Sequence, residues 1–157
     1  MDWKNIYKAR ITTTTDAIKC IKDKDTIVTT GFASTPLESL KTLAEHHKEY
    51  HDVTIYNMLP MGEGECFQPE CNKHFCHLTN FVCAISRSSI WNGSGFYMPA
   101  YFKDVPYMIG RTIPCDVAII TTTPPDENGY VSLGATNTYA KAAIDKYGTS
   151  CSGSRFL

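Results

Sequence analysis

The sequence predicts an α/β fold, a mostly parallel sheet with flanking helices of the kind that carries a ligand cleft at one sheet edge. Three observations predict it. A strand pattern, a helix pattern and a second strand pattern follow one another with short joins between Asp25 and Met58, which is a right-handed parallel βαβ unit. The run Val117-Ala118-Ile119-Ile120 is apolar at every position, as in a strand buried on both faces. A helix pattern at residues 136–148 follows that strand.

The elements read in order as follows. In TTTTDAIKCIK, residues 12–22, Ile18 and Ile21 lie three apart and Thr15 or Asp16 can cap, so a short amphipathic helix is expected. DTIVTT, residues 25–30, is β-branched and short, a strand. Thr35, Pro36 and Glu38 then form a helix start: Thr35 as cap, Pro36 at the first helical position, Glu38 closing a capping box. Leu37, Leu40, Leu43, Ala44 and His47 recur at helical spacing and make one buried face. Residues 52–58, DVTIYNM, form the second strand, and residues 59–74 lack a period and read as a long loop. NFVCAIS, residues 80–86, reads as a third strand. Residues 94–110 read as a loop with one short helix near Val105 to Ile109. CDVAIITTT, residues 115–123, is the strongest strand. PPDENGYVSLG, residues 124–134, is a turn and then a short strand, and the helix at 136–148 has Gly148 as its stop. The last stretch, TSCSGSRFL, has no pattern.

Composition narrows the function classes. The chain has 157 residues, enough for one compact domain, with 43% hydrophobic and 20% charged residues. A net charge of −1 gives no electrostatic basis for binding nucleic acid or an anionic membrane. No apolar run reaches about 18 residues, so no membrane-spanning helix is expected. The start, MDWKNIYKAR, lacks the apolar core of a signal peptide and reads as a cytoplasmic one. The seven cysteines, Cys20, Cys66, Cys71, Cys76, Cys83, Cys115 and Cys151, are odd in number, which favours free thiols over a disulfide framework.

Ligands of parallel sheets sit at the carboxyl ends of the strands. Three loops leave those ends: TGFASTP, NMLPMGEGE and TTTPPDENGY. In the first, a glycine after a strand and an uncapped helix start can receive an anion through free backbone amides. It matches neither phosphate-loop glycine motif, and a plain strand-to-helix turn also accounts for it. In the second, Glu63 or Glu65 could serve as nucleophile or general base, although acidic residues in glycine turns are ordinarily just solvated. The paired glycines of NGSGFYM have no strand directly before them and are a weak signal. The stretch GECFQPECNKHFCH invites a metal reading. Four residues separate Cys66 from Cys71 and Cys71 from Cys76, His74 and His77 crowd around Cys76, and no second pair follows downstream. Partly buried thiols and hydrogen-bonded histidines are therefore expected there, and no metal. There is no G-x-S-x-G nucleophile signature.

Several stretches occur together in an order that resembles a known family: MDWKNIYKAR, MGEGE, HFCH at residues 74–77, YFKDVP at 101–106, the long block at 116–134, and TYAKAAI at 138–144. They resemble the amino-terminal half of the acetyl-CoA hydrolase/transferase family, and within it the 4-hydroxybutyrate CoA-transferases. The resemblance implies an incomplete CoA-transferase amino-terminal domain over residues 1–147 and a non-family tail, disordered or a truncation, over 148–157. In such proteins a glutamate on a second, similar half attacks an acyl-CoA. The acyl anhydride becomes a glutamyl-CoA thioester, which passes to a carboxylate, or to water in the hydrolases. Backbone amides of glycine loops stabilise the oxyanion.

By the same resemblance the first half supplies one wall of the cleft. Gly31, Ala33, Ser34, Thr35, Pro36, Met61, Gly62, Gly64 and Tyr101 are the substrate-binding candidates. Glu63 and Glu65 do not match the nucleophile's motif, so no catalytic residue is assigned. No cofactor is implied beyond the CoA thioester as substrate, and no metal. The implied partners are acyl-CoA, a short carboxylate, the second domain or a partner chain that carries it, and a second copy in a homodimer of the complete protein. This chain alone would be inactive, with Phe96, Tyr97, Met98, Tyr101 and Phe102 exposed as an apolar face. Other readings are an acyl-CoA hydrolase, a non-catalytic subunit or interaction module, and a metal-binding module.

Overall fold

The computed structural model describes the backbone of residues 3–150 and the side chains of residues 3–146. Five strands run parallel in one sheet: β1 (Thr26–Thr29), β2 (Val53–Tyr56), β3 (Phe75–Thr79), β4 (Gly95–Tyr97) and β5 (Val117–Ile119), in the order β4-β3-β2-β1-β5. Among the described residues six α-helices accompany them: α1 (Trp3–Arg10), α2 (Thr14–Ile18), α3 (Leu37–Glu45), α4 (Ala84–Trp91), α5 (Val105–Met108) and α6 (Ala140–Ser150). The fold class is the expected one, with every strand pairing parallel.

Side-chain alternation along the strands divides the interior into two cores. Ile27, Val53, Ile55, Phe75, Val117 and Ile119 point to one face, where Ile18, Leu40 and Leu43 of α2 and α3 cover them. Val28, Tyr56 and Ala118 point to the other, under Val105, Ile109, Tyr139 and Ala143. β1 is buried at every position, which is why its sequence is β-branched throughout. Val28 pairs with Tyr56 on one side and with Ala118 on the other, so the expected βαβ unit lies at the sheet's centre.

Several local expectations are overturned. NFVCAIS is not a strand. β3 ends at Thr79, and α4 begins at Ala84 behind a reciprocal cap in which Cys83 N–H donates to Ser86 Oγ (2.9 Å). The third strand lies instead in FCHLT, whose alternating burial was hidden by its polar residues. β4 falls within the stretch expected as a loop, since glycine opens it and two exposed aromatics follow. Residues 124–134 contain no strand. Asp126 Oδ1 accepts from the amides of Asn128 and Tyr130 (2.9 Å each), closing a loop on itself.

Helix ends differ as well. Thr13, not Thr15 or Asp16, caps α2, accepting from Asp16 N–H at 3.1 Å. Thr35 does not cap α3: Pro36 is its N-cap, the helix starts at Leu37, and no side chain caps it. Leu37 is 49% exposed, since it begins the helix beyond the sheet and lies over Gly62. α6 runs through Gly148 to Ser150, so that glycine is not its stop. Residues 151–157 of the expected tail lie outside the described residues.

Tyr139, immediately before α6, joins the two central strands. Its hydroxyl donates to Thr29 O (2.8 Å) and accepts from Met58 N–H (3.0 Å). Tyr139 is 1% exposed, so neither bond has a solvent substitute. Tyr139→Phe leaves a buried donor without a partner and should cost about 1–3 kcal/mol. Urea unfolding should show a lower midpoint at an unchanged slope.

Candidate functional site

The carboxyl edge of the sheet is built from three loops that touch. A β-carbon at Gly31 would stand 1.8 Å from Met58 O, so only glycine lets the β1 and β2 loops approach this closely. On either side of that contact Phe32 (φ 55°) and Leu59 (φ 47°) take left-handed backbone, and Phe32 N–H donates to Leu59 O at 2.9 Å. Thr35 Oγ1 accepts from Met61 N–H (3.1 Å) and donates to Phe32 O (2.7 Å). Thr35 thus secures the β2 loop, the task that replaces helix capping. Ser34 Oγ accepts from Thr136 N–H (2.9 Å), and Thr30 Oγ1 donates to Ser34 O (2.5 Å) and accepts from Thr121 N–H (3.4 Å). The third loop is tied in by these bonds.

The nominated residues fall into two groups. Gly31, Ser34, Thr35, Pro36 and Gly64 are buried, whereas Ala33, Met61 (56% exposed) and Gly62 face solvent on the same pair of loops. Tyr101, 77% exposed, lies in a separate open cleft of about 490 Å³ lined by Tyr97, Pro99, Ala100, Tyr101, Asp104 and Met108. The two groups meet where the rings of Phe32 and Phe102 pack edge to face, 6.4 Å between centroids.

Beneath the loops lies a buried polar layer that the sequence reading did not nominate. The ring of His77 stacks on Phe67 at 4.0 Å, with Nδ1 3.2 Å from Ser89 Oγ and Nε2 2.9 Å from the Asn57 side-chain oxygen. Ser89 Oγ gives its one proton to Ser86 O (2.8 Å), so it receives the Nδ1 proton of His77 and leaves Nε2 as an acceptor. A flip of the Asn57 amide, which exchanges its oxygen and nitrogen, then supplies the matching donor. Burial holds the imidazole neutral and lowers its pKa to about 4. Alongside, Tyr56 Oη donates to Asn80 Oδ1 (2.5 Å), and the Asn80 amide donates to Met98 O. Burial pushes the Tyr56 and Tyr139 phenols well up, so both stay protonated donors. The hydrogen bonds of His77 to Ser89 and Asn57, of Tyr56 to Asn80 and of Asn80 to Met98 join residues 12 to 24 positions apart, which no local spacing reveals.

Cys66 Sγ donates to Leu40 O (3.0 Å) and Cys71 Sγ to Glu65 O (3.5 Å), and burial raises both thiols, Cys71 to about 11. Among the described residues no group of three His, Cys, Asp or Glu side chains is set to hold a metal ion. No helix among them is long and apolar enough to cross a membrane.

With this geometry in view, comparison with known proteins is specific. The profile of the acetyl-CoA hydrolase/transferase N-terminal domain matches residues 1–148. The chain belongs to that family. It is 31% identical over 146 residues to 4-hydroxybutyrate coenzyme A transferase of Clostridium kluyveri, an alignment covering 92% of this chain and 34% of that protein. The crystal structure of RipA from Yersinia pestis superposes with a TM-score of 0.81 at 27% identity, over 90% of this chain and 36% of RipA. 4-hydroxybutyrate CoA-transferase from Porphyromonas gingivalis shares the fold, with a TM-score of 0.74 at 22% identity, over 92% of this chain and 33% of that one. The chain therefore spans about a third of the length of such relatives.

Two outcomes check the site's construction. Gly31→Ala should force the β1 and β2 loops apart and destabilise the domain by about 2–3 kcal/mol, read as a fall in melting temperature. The second concerns pH. An unfolded chain takes up a proton on His77 near pH 6.5, whereas the folded chain resists it down to about pH 4. Folding should thus lose about 3 kcal/mol as the pH drops through that window, fully retained above it. His77→Gln should flatten that slope in acid titrations followed by circular dichroism, whatever its effect at neutral pH.

Proposed function

We propose that this chain is the amino-terminal domain of a cytoplasmic CoA-transferase. The complete protein would move CoA between a short acyl-CoA and a carboxylate such as 4-hydroxybutyrate. The observation that supports the reading is the fused pair of glycine loops at the carboxyl edge, in a domain whose relatives are CoA-transferases by name. Gly31 to Pro36 and Met61 to Gly64 would form one wall of the acyl site, with Tyr101 beside it. The amides at the start of α3, which no side chain caps, are the groups suited to a developing oxyanion.

The covalent step belongs to a glutamate on a second domain. Its carboxylate would displace CoA from the acyl group, and the released thiolate would then attack the glutamyl carbonyl of the resulting anhydride, expelling the acyl group as a carboxylate and leaving a glutamyl-CoA thioester. No residue of this chain is assigned that role. The exposed aromatics Phe96, Tyr97, Tyr101 and Phe102, with the half-buried Met98, are the surface on which the second domain would dock. The complete protein would act as a homodimer.

The test is an exchange assay with acetyl-CoA and 4-hydroxybutyrate. The chain alone should give no new CoA ester, and the chain joined to a glutamate-bearing second half should give one. Exchange by the chain alone, or none by the joined protein, contradicts the proposal; free acid as the sole product would make the protein a hydrolase. In the absence of the second half the aromatic surface should bind a hydrophobic dye and drive self-association, and Phe102→Ser with Tyr101→Ser should reduce both. A monomer that binds no dye contradicts the docking assignment.

A further inference from the structure

At the opposite end of the sheet from the cleft, three histidines from different parts of the chain come together. His47 follows α3, His51 lies just before β2, and His74 immediately precedes β3. The rings of His47 and His74 are 5.1 Å apart between centroids, and those of His51 and His74 are 5.9 Å apart. His47 Nδ1 lies 2.7 Å from Ala44 O, and His74 Nδ1 lies 2.7 Å from Tyr50 O.

A carbonyl oxygen only accepts, so in the neutral form of each ring the proton sits on Nδ1 and Nε2 carries the lone pair. Metal-binding histidines are commonly arranged in this way, the far ring nitrogen donating to a backbone carbonyl that fixes tautomer and orientation. The spacing also fits. Two imidazoles bound tetrahedrally to one ion at about 2.0–2.1 Å place their ring centroids about 5 Å apart. His47 and His74 are half-buried and so partly preorganised, while His51 is exposed and free to turn toward them. His46 is engaged elsewhere, with Nδ1 2.7 Å from Glu49 Oε1.

We propose that His47 and His74 form a surface site for a divalent transition-metal ion, with water and a rotated His51 completing the ligands. No third ligand is yet in place, so the site is a pair that recruits, of moderate affinity. Imidazole donors suit zinc, nickel and copper ions rather than magnesium or calcium.

The experiment is calorimetric titration of the untagged full chain with zinc or nickel chloride. One saturable ion per chain is expected, with binding weakened on acidification from about pH 7.5 to about pH 5 because protons compete for the same lone pairs. His47→Gln and His74→Gln should each weaken binding about tenfold or more. His46→Gln and Cys76→Ser should leave it unchanged. Circular dichroism confirms that each variant folds, and two independent histidine variants guard against one failing to do so. Absence of saturable binding overturns the proposal. So does binding that survives both histidine substitutions, or that is lost with Cys76→Ser alone.

Discussion

The close approach of Gly31 to Met58 O is the constraint on which the carboxyl edge depends. A parallel sheet ends its strands side by side, and the loops that leave them normally diverge. Here the β1 and β2 loops are pressed together at a point where no β-carbon fits. Left-handed backbone at Phe32 and Leu59 follows, because each loop must turn sharply away once past the contact. Such conformations cost energy in non-glycine residues and persist only where the surroundings over-determine them. The hydrogen bond between the two residues, the Thr35 hydroxyl and the Tyr139 clasp supply that surplus.

The buried polar side chains of Asn57, His77 and Ser89, and of Tyr56 and Asn80, tie the segments around β2, β3 and α4 to one another. Each member is buried, so an unmade hydrogen bond there has no solvent replacement. A neutral histidine in this position both packs against Phe67 and reads out the orientation of its two partners. The result is a carboxyl edge whose loops are cross-linked by buried and half-buried hydrogen bonds.

Much of the fold was legible in the sequence and most of the site's construction was not. The βαβ unit and β5 were readable because β1, β2 and β5 are buried on both faces and therefore uniformly β-branched or apolar. β3 was not, because its buried positions include His77, bonded to Ser89 and Asn57, and Thr79, bonded to the backbone of Phe81, which break the apolar pattern. The first three residues of α4, Ala84 to Ser86, read as the end of a strand because the buried side of that helix includes Ser86 and Ser89, which hydrogen-bond rather than supply an apolar stripe. The sequence offers Gly31 as a turn glycine or an anion contact, yet the reason it must be glycine comes from Met58, in the loop after β2. Tyr139 gave no local signal at all, since its partners lie 81 and 110 residues away.

The rigidity of this edge is the central claim, and native-state hydrogen exchange at single amides tests it most directly. If Gly31 and Tyr139 lock the two loops, the Met58 and Phe32 amides exchange only through global unfolding, as slowly as the amides within β1 and β2. Exchange at either amide as fast as in the exposed turn around Glu63 would show that the loops open independently, and would contradict the account.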